Sequence, residues 1–81
     1  MKELVNLIEE IVELCYQQKK AEAYEKINLF INEIVKTIVG LPESKVVEVN
    51  EILQNILSAM EENDIVAVAD LLEYELKEKL V

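Results

Sequence analysis

Apolar residues recur along this chain at spacings of three and four, the repeat that gathers side chains on one side of a helix turning about 100° per residue. Over residues 3–17, Leu4, Leu7, Ile8, Ile11, Val12, Leu14 and Cys15 share a face opposite Glu3, Glu9, Glu10 and Glu13. Val5 and Tyr16 widen that face to about 200°, more than the ~100° that one buried stripe needs. Continuing the same phase would carry Gln18, Lys19 and Glu22 into the core. A turn is therefore predicted within Gln17-Gln18-Lys19-Lys20, where two lysines also suit a helix C-terminus. A second helix follows over 21–39, with Ala23, Tyr24, Ile27, Phe30, Ile31, Ile34, Val35 and Ile38 on one face and Leu29 turned away from it.

Gly40 and Pro42 mark the next boundary. The glycine is expected to take a left-handed backbone position, and the proline to open a helix whose first N–H groups need no partner. The third helix, 43–62, is expected to bury Val46, Val49, Leu53, Ile56, Leu57 and Met60. Asn63-Asp64 reads as a tight junction, with Asn63 left-handed and Asp64 capping a fourth helix over 65–80. That helix turns Ile65, Val68, Ala69, Leu72, Leu76 and Leu80 inward. Short connections make consecutive helices antiparallel, so the predicted fold is one all-α domain over residues 1–81, an antiparallel up-down-up-down four-helix bundle. The competing three-helix architecture fuses the first two segments and needs an unbroken phase through Gln18.

Composition agrees with this fold: one Gly, one Pro and 52% apolar residues beside 31% charged ones distinguish the chain from a disordered acidic tail. A net charge of -9 disfavours nucleic acid and anionic membranes as partners and points to a basic or apolar protein surface. No apolar run approaches the ~18 residues of a membrane-spanning helix, and Glu9, Glu10 and Glu13 interrupt any stretch resembling a signal peptide. Cys15 is the only cysteine, so no internal disulfide can form, and a lone thiol suits the reducing cytoplasm.

Candidate chemistry is sparse. There is no histidine, and Glu9 with Glu13, Glu48 with Glu51, Asp70 with Glu73, and Glu75 with Glu78 fall on polar arcs without the spacing of a calcium loop. These carboxylates read as solvated faces, and neither metal nor cofactor is expected. Cys15 lies in the core arc without an acid–base partner, Ser44 and Ser58 have no triad, and Gly40 alone makes no phosphate loop. The chain is therefore not expected to be an enzyme. Lys19, Lys20 and Lys26 read as complements to helix ends and as one half of an i,i+4 pair, Glu22 with Lys26.

The surplus is apolar. Ala67, Leu71 and Tyr74 form a second stripe on the fourth helix, about 180° to 240° from its core centre. If each helix buries a single face, this stripe is exposed, and Ala67, Leu71 and Tyr74 are candidates for partner contact with Leu71 at the centre. Two functions follow: an interaction module of adaptor or chaperone kind, or a self-associating bundle whose stripe closes a homodimer.

Within residues 63–76, the string Ala69-Asp70-Leu71-Leu72-Glu73-Tyr74-Glu75-Leu76 resembles a pattern in small, acidic bacterial proteins encoded near flagellar and motility genes. The resemblance implies a helical bundle of unassigned molecular activity, similar to flagellar export chaperones, which bind helical segments of their clients. It carries over no catalytic residue.

Overall fold

Two left-handed residues, Gln18 (φ 61°) and Asn63 (φ 56°), divide the helical chain at corresponding points. A computed structural model describes residues 2–80, and every regular element among them is helical. α1 spans Lys2–Tyr16, α2 Lys20–Ile38 and α3 Glu43–Glu61. The fourth helix, α4, runs as α-helix over Ile65–Asp70, as π-helix over Leu71–Leu76 and as α-helix again over Lys77–Leu80. These bounds lie within a residue or two of those predicted. The left-handed turn at Gln18 excludes the fused three-helix alternative.

Both left-handed residues close the same motif. After α1, Gln18 N–H donates to Cys15 O (3.1 Å) and Lys19 N–H to Leu14 O (2.9 Å). After α3, Asn63 N–H donates to Met60 O (3.0 Å) and Asp64 N–H to Ala59 O (2.9 Å). Each pair satisfies two carbonyls that a helix end otherwise leaves unpaired. Asp64 then caps α4, its Oδ1 accepting from Ala67 N–H at 3.1 Å, as expected.

Gly40 corrects the sequence reading, because it does not adopt the left-handed conformation expected of it. The chain leaves α2 through Gly40 N–H to Thr37 O (3.4 Å) and Leu41 N–H to Ile38 O (3.0 Å). Such i→i+3 bonds tighten a last helical turn and need no positive φ. Pro42 stands just before α3 in extended conformation (φ −56°, ψ 147°), and its carbonyl accepts from Lys45 and Val46 N–H, both at 3.0 Å.

Helices of 15 to 19 residues are about 22–29 Å long at 1.5 Å per residue, which fits the 35 Å long axis of a molecule measuring 35 × 23 × 20 Å. α1 packs about equally on α2 and α4, α3 packs on α4, and contact between α2 and α3 is sparse. The core contains Ile8 and Ile11 of α1, Ile27, Phe30 and Ile34 of α2, Val49 and Ile56 of α3, and Val68, Leu72 and Leu76 of α4. Among the described residues no charged or polar residue is buried with them as a whole, and the one enclosed side-chain polar atom without a hydrogen-bond partner is the hydroxyl of half-buried Tyr24.

Several expected core positions are corrected. Val35 and Leu57 are exposed, Leu7, Leu14, Tyr24, Ile31, Val46, Met60 and Ile65 are half-buried, and Ile52 and Ala59 are buried instead. α3 rests mainly on one neighbour, α4, so its buried arc is turned away from Leu57 toward Ile52 and Ala59. The lysines after α1 also pair differently from the expectation. Lys26 meets Glu10 of α1 at 3.8 Å, not Glu22, and Lys20 Nζ donates to Asn63 Oδ1 at 3.2 Å. No helix among the described residues is long and apolar enough to cross a membrane.

Candidate functional site

Val68, Leu72, Leu76 and Leu80 repeat every four residues along α4, and all four are buried. On a helix of 3.6 residues per turn, a spacing of four drifts by about 40° at each step, so the fourth member would leave the core. The π-helical stretch absorbs that drift by closing on the fifth residue: Lys77 N–H donates to Leu72 O. The same widening carries Glu73 and Tyr74 around the surface beside the end of α1.

There Tyr16 Oη donates to Glu73 Oε2 at 2.8 Å. Tyr16 is 57% exposed and Tyr74 64%. The Tyr16 phenol is pushed up to about 12, first by its bond to Glu73, then by slight burial and by the neighbouring Glu73, Tyr74 and Asp70. A groove of about 230 Å³ runs beside this pair, with Ile8 and Val12 at its apolar base and Glu9, Glu13, Tyr16, Glu73 and Lys77 around it. Lys77 is held by Glu9 at 3.2 Å. Among the described residues no lysine comes within 4.0 Å of Glu13, Asp70 or Glu73. The result is a face with two exposed phenols and three uncompensated carboxylates.

A larger, more open depression of about 690 Å³ lies along α1 and α2, lined by Asn6, Glu9, Glu10, Glu13, Leu14, Gln17 and Lys26. Three of its seven lining residues are carboxylates, and no cysteine, serine or threonine lines it. Cys15 is 2% exposed, and burial pushes its thiol up, away from the reactive thiolate. Glu48 accepts a 2.8 Å bond from Lys79 at the other end of α4, which holds its carboxyl below the ordinary value. No group of three or more His, Cys, Asp or Glu among the described residues is placed to hold a metal ion.

The stripe expected from the sequence is corrected in part. Tyr74 is exposed, but Ala67 and Leu71 are half-buried and pack against the core. α4 touches both α1 and α3, so it buries a wider arc than a helix with one packed face. Sequence reasoning missed Val66, which is 64% exposed, and the pairing of Tyr16 with Glu73. The available signal was Tyr16 at the margin of the unusually wide α1 face.

Over residues 1–81 the chain belongs to the family described as Domain of unknown function (DUF8042). No curated protein and no solved structure matches it.

Proposed function

For this member of the family we propose a non-enzymatic interaction module, a helical bundle of adaptor or chaperone kind that binds a protein partner through apolar helix faces. One observation carries the reading: α4 already gives Val68, Ala69, Leu72, Leu76 and Leu80 to the core, yet still presents Tyr74 with 64% of its surface open. Val66 is equally open near the start of the same helix, and Ala67 and Leu71 reach the surface in part. Covering such surface is favourable by roughly 25 cal/mol per Å² of apolar area.

In this reading the four helices run antiparallel, up-down-up-down. Three contacts support that arrangement. The Lys20–Asn63 bond brings the turn after α1 to the turn after α3, and the Lys79–Glu48 pair brings the end of α4 to the beginning of α3. Lys2, Glu3 and Leu4 line a common depression with Thr37, near the end of α2. The resemblance over residues 63–76 fits the same proposal: a bacterial cytoplasmic protein that shields a helical client, without nucleic-acid or membrane partners.

Self-association is the alternative, because the same surface on two copies could close a dimer. The net charge of -9 on each copy counts against it. Sedimentation across a dilution series, combined with capture of partners from the native cell, separates the two readings. Tyr74→Ser is the suitable variant because the side chain is exposed, whereas Leu71→Lys would disturb packing. A monomer whose captured partner is lost on Tyr74→Ser supports the module. A dimer dissociated by Tyr74→Ser supports self-association. A monomer with no captured partner, or capture indifferent to Tyr74→Ser, refutes both uses of this surface.

A further inference from the structure

We infer that the partner docking here is an amphipathic helix bearing Lys or Arg, lying along α1 and α4 with its cations against Tyr16, Tyr74, Glu13, Asp70 and Glu73. The inference rests on the interaction reading above and supplies the chemistry of the partner. Tyr16 Oη lies on Glu73 at 2.8 Å, Glu13 lines the same groove, and Asp70 and Tyr74 stand three residues before and one after Glu73 on α4, so phenols and carboxylates form one patch. A phenol ring attracts a guanidinium or ammonium group over its face, and a carboxylate attracts it directly.

The other basic groups on α4 are already engaged, Lys77 by Glu9 at 3.2 Å and Lys79 by Glu48 at 2.8 Å, so the patch keeps its negative sign. A purely apolar partner would strip water from Glu13, Asp70 and Glu73 without replacing its hydrogen bonds. A second copy related by two-fold symmetry would set these acids against their own kind. A basic helix satisfies both constraints. Its apolar contacts are the exposed rings of Tyr16 on α1 and Tyr74 on α4, because Ile8 and Val12 beneath the groove are already buried in the core.

The probe is a designed helical peptide with Leu on its apolar face and Arg flanking it, compared with versions carrying Gln or Glu in place of Arg. Backbone amide shifts report binding residue by residue. The Arg peptide should perturb Tyr16, Asp70, Glu73 and Tyr74 first, and its affinity should fall about tenfold between low and physiological salt. Glu13→Lys with Asp70→Lys should weaken it by about tenfold, whereas Glu25→Lys with Glu51→Lys, exposed positions on α2 and α3 giving the same net charge, should change it less than about threefold. Equal loss in the two double variants would overturn the inference by showing diffuse attraction. Equal binding of the Gln and Arg peptides would also overturn it, while leaving the broader interaction reading intact. Binding by none of the peptides refutes the basic-helix partner, and the capture experiment then decides the broader reading separately.

Discussion

Tyr16 Oη donates a 2.8 Å hydrogen bond to Glu73 Oε2, tying the last residue of α1 to the π-helical stretch of α4 across 57 positions of sequence. Only the neutral phenol can donate, and an ionised one would face the Glu73 carboxylate. The folded value, about 12, lies above the ordinary 10.0. The contribution of Tyr16 to stability is therefore complete below pH 10 and is lost as the pH rises through about 12. Absorbance titration of tyrosinate should show a late phase that Tyr16→Phe removes. The difference in melting temperature between wild type and Tyr16→Phe should shrink over the same window. An unchanged titration in the variant would show that the bond does not hold the proton in solution.

The turns predict opposite uses of glycine. Gln18 is left-handed at a position where a β-carbon is costly, so Gln18→Gly should stabilise the protein by up to ~1 kcal/mol in urea denaturation. Gly40 has no need of a positive φ, and a β-carbon built there meets nothing within 4 Å. Gly40→Ala should therefore also stabilise, by about 0.4–1 kcal/mol through the unfolded chain. Destabilisation by either substitution contradicts the backbone described for that turn.

Asp64 caps α4 through Ala67 N–H at 3.1 Å. Asp64→Ala should cost about 1 kcal/mol, lowering the melting temperature by about 4–8 °C, while Asp64→Asn should retain most of the stability. Equal losses for Ala and Asn would assign the effect to charge and not to the cap.

Cys15 is the test of the α1 core. A thiol reagent should label it slowly in the native protein and rapidly after denaturation, since it is buried and its thiol is held above the ordinary value. Rapid native labelling would place α1 in a different rotation.

The features legible in the sequence are those whose cause is local. Asn63 tolerates a left-handed backbone and Asp64 reaches its own first turn, so their roles follow from adjacent residues alone. Gln18 has no such signature: the chain reverses there because α1 must lie on α2, and the backbone accepts the strained conformation at whatever residue stands in that place. Gly40 carried the strongest turn signal, but its turn closes by tightening the helix. Tyr74 was correctly expected at the surface because its outward direction survives small rotations of the wheel. Ala67 and Leu71 were not, because their burial depends on α1 and α3 both touching α4. Tyr16 with Glu73 belongs to no spacing rule, and only the completed packing brings them together.

The π-helical stretch gives α4 a length reserve. Because the turn over Leu71–Leu76 closes on the fifth residue, that stretch holds one residue more than an α-helix of the same reach requires. A chain shortened by one residue there can reclose as ordinary α-helix, whereas the same deletion inside α3 would swing every later side chain of that helix by about 100°. α4 is thus the helix of this domain best able to absorb a change in register, and that tolerance lies at the surface where Tyr74 faces solvent.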